Sequence, residues 1–267
     1  MTCSRFLQLP EKGALSVFFT AGYPRLNDTC VVLDALQQSG VDMVEVGFPF
    51  SDPVADGPTI QESNLAALQN GMTVATLMTQ LKEIRGQGIT MPILLMGYLN
   101  PVERYGAERF FREAAECGAD ALILPDMPFD GYQDRYKALF AKYRLNPVFL
   151  VTSRTEPERV RAFDAEGPAF LYVLSSDAVT GGSANITGER EAFFERLSAM
   201  GLRSRLIVGF GVSDRASFQA VTKHTSGAIV GSAFLRAISH VPRGSSESQS
   251  DGAAMREAVK EFVSKMR

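Results

Sequence analysis

Short, nearly continuous apolar runs alternate with amphipathic segments along the chain. The runs cover 15–20, 41–46, 93–98, 121–124, 147–151, 170–174, 206–208 and 228–230. Strands that are apolar on both faces belong to a parallel sheet covered on both sides. Helical-period segments between them supply that cover. They are expected over 27–39, 61–69 (the loop before it opening a helix at Thr59), 73–85, 107–117, 131–143, 156–165, 189–200, about 214–223 and 233–238. Asn27 or Asp28, Thr73, and Ser213 or Asp214 stand where caps belong. Eight strand–helix units in 267 residues predict an α/β fold, a (β/α)8 TIM barrel with extra short helices, over a doubly wound sheet. The chain is expected to form one domain over 1–267. The polar stretch 243–251 is expected to be a flexible linker before a last helix, 253–266, docked on the barrel's outside.

Charge and cysteine usage narrow the function classes. A net charge of −3 gives no basic footprint for nucleic acid or an anionic membrane. Cys3, Cys30 and Cys117 lack metal-ligand spacing and read as free thiols in a reducing compartment. No apolar stretch approaches the ~18 residues of a membrane span, and the N-terminal residues lack a signal-peptide core. A cytoplasmic protein is expected. No metal- or nucleotide-binding motif occurs.

In a barrel of this kind the site lies where strands end and βα loops begin. Glu45 is conspicuous there, a charge inside the apolar run Met43-Val44-Glu45-Val46. It is either a catalytic acid/base with a raised pKa or the partner of a Lys or Arg inside the barrel. Asp56, before Gly57-Pro58, is either a turn residue or a second functional acid on a mobile polar loop, where it would stay ionised. Asp52 reads as a turn former, and Asp126 either orients a loop or reaches the site. Gly209, Gly211, Gly231 and Ser232 follow the seventh and eighth runs, and Gly181-Gly182 the sixth. Together they suit a phosphate cradle built from neutral donors. His224 and His240 are expected at the surface.

The stretch EVGFPFSDPVADGPTIQ, 45–61, resembles the signature of the tryptophan synthase α subunit family. The resemblance continues through FFTAGYP at 18–24, LLMGYLNP at 94–101, PDMP at 125–128, VGFGVS at 208–213 and VGSA at 230–233. It implies cleavage of indole-3-glycerol phosphate to indole and D-glyceraldehyde 3-phosphate. It also implies a β subunit partner in an α2β2 complex, with pyridoxal phosphate (PLP) in that partner and no cofactor in this chain. By the same resemblance Glu45 and Asp56 are catalytic. Phe18, Ile60, Met96, Tyr98, Ile123, Tyr172 and Phe210 surround the substrate, and Thr180 belongs to a lid loop, 175–188. Gly181, Gly209, Gly211, Gly231 and Ser232 hold the phosphate. The chain departs from the family in a shortened N-terminal helix, in Ser176-Asp177 where a basic residue is usual, and in the Ser-rich segment 244–250. Other readings are a sugar-phosphate isomerase or epimerase, a non-catalytic barrel that activates a partner, and a stand-alone lyase.

Overall fold

The computed structural model describes residues 4–174, 188–209, 211–241 and 250–267. Eight parallel strands close into a barrel in sequence order. They are β1 Ala14–Thr20, β2 Met43–Gly47, β3 Ile93–Met96, β4 Ala121–Ile123, β5 Asn146–Val151, β6 Leu171–Leu174, β7 Leu206–Gly209 and β8 Gly227–Val230. β8 pairs back onto β1, from Ala14↔Gly227 to Val17↔Val230, which closes the sheet. Every residue of β1 and β2 is buried, so these strands read as continuous apolar runs instead of alternating ones.

The outer layer is built from α1 Asp28–Gln38, α2 Pro58–Gln69, α3 Val74–Gly86, α4 Leu99–Tyr105, α5 Ala107–Glu116, α6 Phe129–Gly131, α7 Lys137–Tyr143, α8 Pro157–Ala165, α9 Gly188–Ala199, α10 Arg215–Thr222, α11 Ser232–Ser239 and α12 Ser250–Met266. A wider, π-type turn, Tyr132–Tyr136, joins α6 to α7. A 3-10 turn, Ser4–Gln8, precedes β1 where a short helix was expected.

Several helix starts differ from the expectation. An additional helix, α4, which the sequence pattern does not announce, begins at Leu99 beyond the third strand. Pro101 falls in the first turn, where a missing N–H costs little because no acceptor is available there. α2 likewise begins at Pro58, with Gly57 at its N-cap. Neither Asn27 nor Asp28 caps α1; Asn27 makes no side-chain cap bond, and Asp28 pairs with Arg25 at 2.8 Å. Thr73 caps α3, accepting from the Thr76 N–H at 3.1 Å. Asp214, not Ser213, caps α10, in a capping box with Ser217. α12 starts at Ser250, so residues 250–251 of the expected linker are helical, and 242–249 lie outside the described residues. α12 packs on α1 as expected, with an Arg256–Asp34 ion pair.

The two ends of the barrel are built differently. At the strands' N-terminal ends, one buried acid, Asp120, and one partly buried acid, Asp42, bind the structure together. Asp42 accepts from the Leu15 N–H at 2.8 Å and from Arg267 at 2.5 Å. Asp120 is 2% exposed and accepts from the Ile93 N–H at 2.9 Å, Arg85 at 2.8 Å and Arg5 at 2.6 Å. Arg85 also donates to the carbonyls of Gly118, Ile89 and Met91. The C-terminal ends instead carry glycines, tyrosines and two further acids.

Candidate functional site

Glu45 lies at the middle of β2, in register with Phe18 on β1 and Leu94 on β3. It is fully buried, and neither carboxylate oxygen has a hydrogen-bond partner among the described residues. An interior Lys or Arg partner is therefore absent among those residues. Burial alone pushes its pKa from 4.5 up to about 8, in the direction expected for a charge without compensation. Burial thus favours the protonated carboxyl.

Asp56 lies in the loop between β2 and α2, and the structure corrects its expected setting. It is 8% exposed, not open to solvent on a polar loop. Burial raises its pKa, while a hydrogen bond from Tyr98 Oη to Oδ2, 2.7 Å, acts in the opposite sense. The same Tyr98 oxygen accepts from the Ala55 N–H at 3.0 Å. From the other side, Gln61 Nε2 donates to the Asp56 carbonyl at 2.8 Å. Asn64 accepts from the Phe50 N–H at 2.9 Å and donates to the Ile60 carbonyl at 2.8 Å. Asp56 is buried at the end of this loop, beside α2, which begins early and packs against both β1 and α11.

Tyr172 joins the two acids. Its phenol is buried and its pKa is raised, first by burial and then by the charges of Glu45 and Asp56. Both acids are therefore near enough to Tyr172 for their charges to act on its phenol. Its ring occupies the place a side chain at Gly209 would need; a Cβ there would lie 2.1 Å from Tyr172 Cε1. Phe18, opposite Glu45, lies against Gly47 and Gly231. Ile60 in the first turn of α2 and Ile123 at the end of β4 are buried, and Met96 at the end of β3 is partly buried. These residues converge on the strands' C-terminal ends.

The glycines lie on the same rim. Gly209 ends β7, and Gly211, at φ +77°, turns the chain in the left-handed region. Gly231 is the N-cap of α11 and Ser232 its first residue. β7 and β8 are neighbours, so both turns adjoin. The first N–H groups of a helix have no acceptor within it and favour an anion. Phe210, Thr180, Gly181 and Gly182 lie outside the described residues, as does 175–187 of the expected lid.

Of the open assignments, Asp126 orients a loop: its carboxylate accepts from the Leu99 N–H at 2.9 and 3.1 Å. Asp52 is exposed and accepts from its neighbour Ser51. His224 stacks on Phe194 in the outer layer. Cys30 and Cys117 are free thiols, and Cys3 is outside the described residues. Among the described residues no cluster of three or more His, Cys, Asp or Glu side chains could hold a metal, and no helix is long and apolar enough to cross a membrane. Tyr98, expected against substrate, donates its hydroxyl to Asp56. The supporting amides of Gln61 and Asn64 went unread. Asn64 carried a signal: with Ile60 and Ala67 it lies on the inner stripe of α2, where an apolar residue is the norm.

A family model described as tryptophan synthase alpha chain matches residues 6–266. A tryptophan synthase alpha chain from Flavobacterium johnsoniae is 48% identical over 229 residues, covering 86% of this chain and 90% of the relative. One from Parabacteroides distasonis is 47% identical over 233 residues, 87% and 90% of the two chains. Among solved structures, the tryptophan synthase A-subunit of Pyrococcus furiosus superposes with a TM-score of 0.84 at 30% identity, over 97% of this chain and 99% of that one. A chain of Mycobacterium tuberculosis tryptophan synthase gives 0.80 at 31% identity, over 96% and 93%.

Proposed function

The chain belongs to the tryptophan synthase alpha chain family, and from that premise we propose that it cleaves indole-3-glycerol phosphate to indole and D-glyceraldehyde 3-phosphate. Breaking the bond between the indole C3 and the glycerol chain needs an electron sink. Protonation at C3 makes the ring a cationic indolenine that accepts the bond electrons. Glu45, proton-bearing at neutral pH, supplies that proton. Its carboxylate then takes the proton of the glycerol hydroxyl as the aldehyde forms. One group gives and regains a proton, so the cycle closes without another acid or base. Asp56 receives the indole N–H and stabilises the positive charge that develops on the ring. Burial raises its pKa, and the hydrogen bond from Tyr98 works against that rise, toward the ionised form that this role needs.

The phosphate is assigned to Gly209, Gly211, Gly231 and Ser232, with Gly181 completing the cradle. The indole is assigned to Phe18, Ile60, Met96, Ile123, Tyr172 and Phe210, and Thr180 to a closing lid. The product indole passes to a PLP-dependent β subunit in an α2β2 assembly, and the chain works in the cytoplasm as one domain. The observation that carries the catalytic reading is Glu45, a buried carboxyl without a partner among the described residues.

The test is indole release from indole-3-glycerol phosphate, with and without a β subunit. Glu45→Gln abolishes turnover while glycerol phosphate still binds; turnover at the unmodified rate overturns the assignment. Asp56→Ala slows cleavage on the order of 10² to 10⁴, and a loss under about tenfold counts against its role. Strong stimulation by the β subunit distinguishes a member of a complex from a stand-alone lyase.

A further inference from the structure

We infer that Asp126 is a positioning residue for this reaction: by capping α4 it fixes Tyr98, and through Tyr98 it fixes the Asp56 carboxylate. The inference rests on the role proposed for Asp56. Tyr98 is the N-cap of α4, with extended backbone, and makes no side-chain cap bond to its own helix. The cap comes instead from across the rim. Both Asp126 oxygens face the Leu99 N–H, at 2.9 and 3.1 Å. On the other side of Tyr98, the Gly97 N–H donates to the Ile123 carbonyl at 3.1 Å. The amides flanking Tyr98 are thus both held by β4 and its following loop.

What those bonds hold is the phenol. The ring rests against Phe50 at 5.4 Å between centroids. The hydroxyl donates to Asp56 Oδ2 at 2.7 Å and accepts from the Ala55 N–H at 3.0 Å. A shift at the start of α4 is therefore passed to the carboxylate that meets the indole N–H. Displacements of about 1 Å at a reacting group can cost up to about a hundredfold in rate. Asp126 is exposed, so its bond can be removed without opening the core.

The test is a double-variant cycle on the full chain, read as indole release. Asp126→Ala lowers kcat about tenfold or more, with KM little changed. Asp126→Asn, whose amide oxygen still accepts from the Leu99 N–H, recovers most of that loss. In a Tyr98→Phe background Asp126→Ala lowers kcat no further, although it lowers the melting temperature as much as in the unmodified protein. A cap that acts on turnover by a route other than Tyr98 would give equal kcat losses in the two backgrounds, and that result overturns the inference. An unchanged kcat in Asp126→Ala, or an Asn variant as slow as the Ala one, overturns it as well. Asp126→Ser replaces Asp126→Ala if the latter does not fold. Asp56→Ala, assayed alongside, separates the two readings. Full turnover there removes the role of Asp56 itself; lost turnover with an additive cycle removes only that of Asp126.

Discussion

At the scale of single residues, the burial of Glu45 makes stability depend on pH. Its pKa in the fold, about 8, lies above its ordinary value of 4.5. Below pH 4.5 both folded and unfolded chains hold the proton, and burial carries no ionisation penalty. As the pH rises, the unfolded chain releases a proton that the folded chain keeps, so stability falls until about pH 8 and then levels. The loss is on the order of a few kcal/mol. Glu45→Gln removes it. Its melting temperature, relative to the unmodified protein, should climb across that window and stay constant on either side. A pH-independent difference would show that Glu45 is compensated. The charge was legible in the sequence because it interrupts an apolar run. The burial of Asp56 was not, because Asp-Gly-Pro looks the same in a loop that is open and in one pinned by Tyr98, Gln61 and Asn64.

At the scale of elements, capping geometry separates positions that look alike as sequence. Asp214 accepts from the Ser217 N–H at 2.8 Å within a capping box, whereas Asn27 makes no side-chain cap bond. Asp214→Ala should cost about 1 kcal/mol, and Asn27→Ala only a few tenths. Urea midpoints at constant slope decide it; equal losses would contradict the geometry. The strands were readable because burial on both faces leaves a run with no polar alternation. The starts of α2 and α4 were not, since Pro marks both the end of one helix and the first turn of another. Only the surrounding chain decides which: Gly57 ahead of Pro58, and Asp126 arriving from β4 for α4.

At the scale of the whole molecule, the barrel divides its labour between its ends. Asp120 at the N-terminal end is paired with Arg5 and Arg85, far along the strands from the rim that carries the glycines. Asp120→Ala leaves Arg85 and the Ile93 N–H without this carboxylate, which should cost about 3–5 kcal/mol. The loss should appear in one cooperative melting transition, while turnover well below that transition changes little. A turnover loss as large as that from Asp56→Ala would show that the ends are coupled. The barrel itself was legible from the eight-fold alternation, but this ionic plug was not, because Arg5, Arg85 and Asp120 are far apart in sequence. The chain contains no Trp and seven Tyr, and one of those, Tyr172, lies under the influence of both Glu45 and Asp56. Its near-ultraviolet absorption is therefore free of indole from the protein itself. A change in charge beside that phenol is visible as a tyrosine difference spectrum with no tryptophan of the protein overlapping it. The chain thus carries its own optical probe beside Glu45 and Asp56.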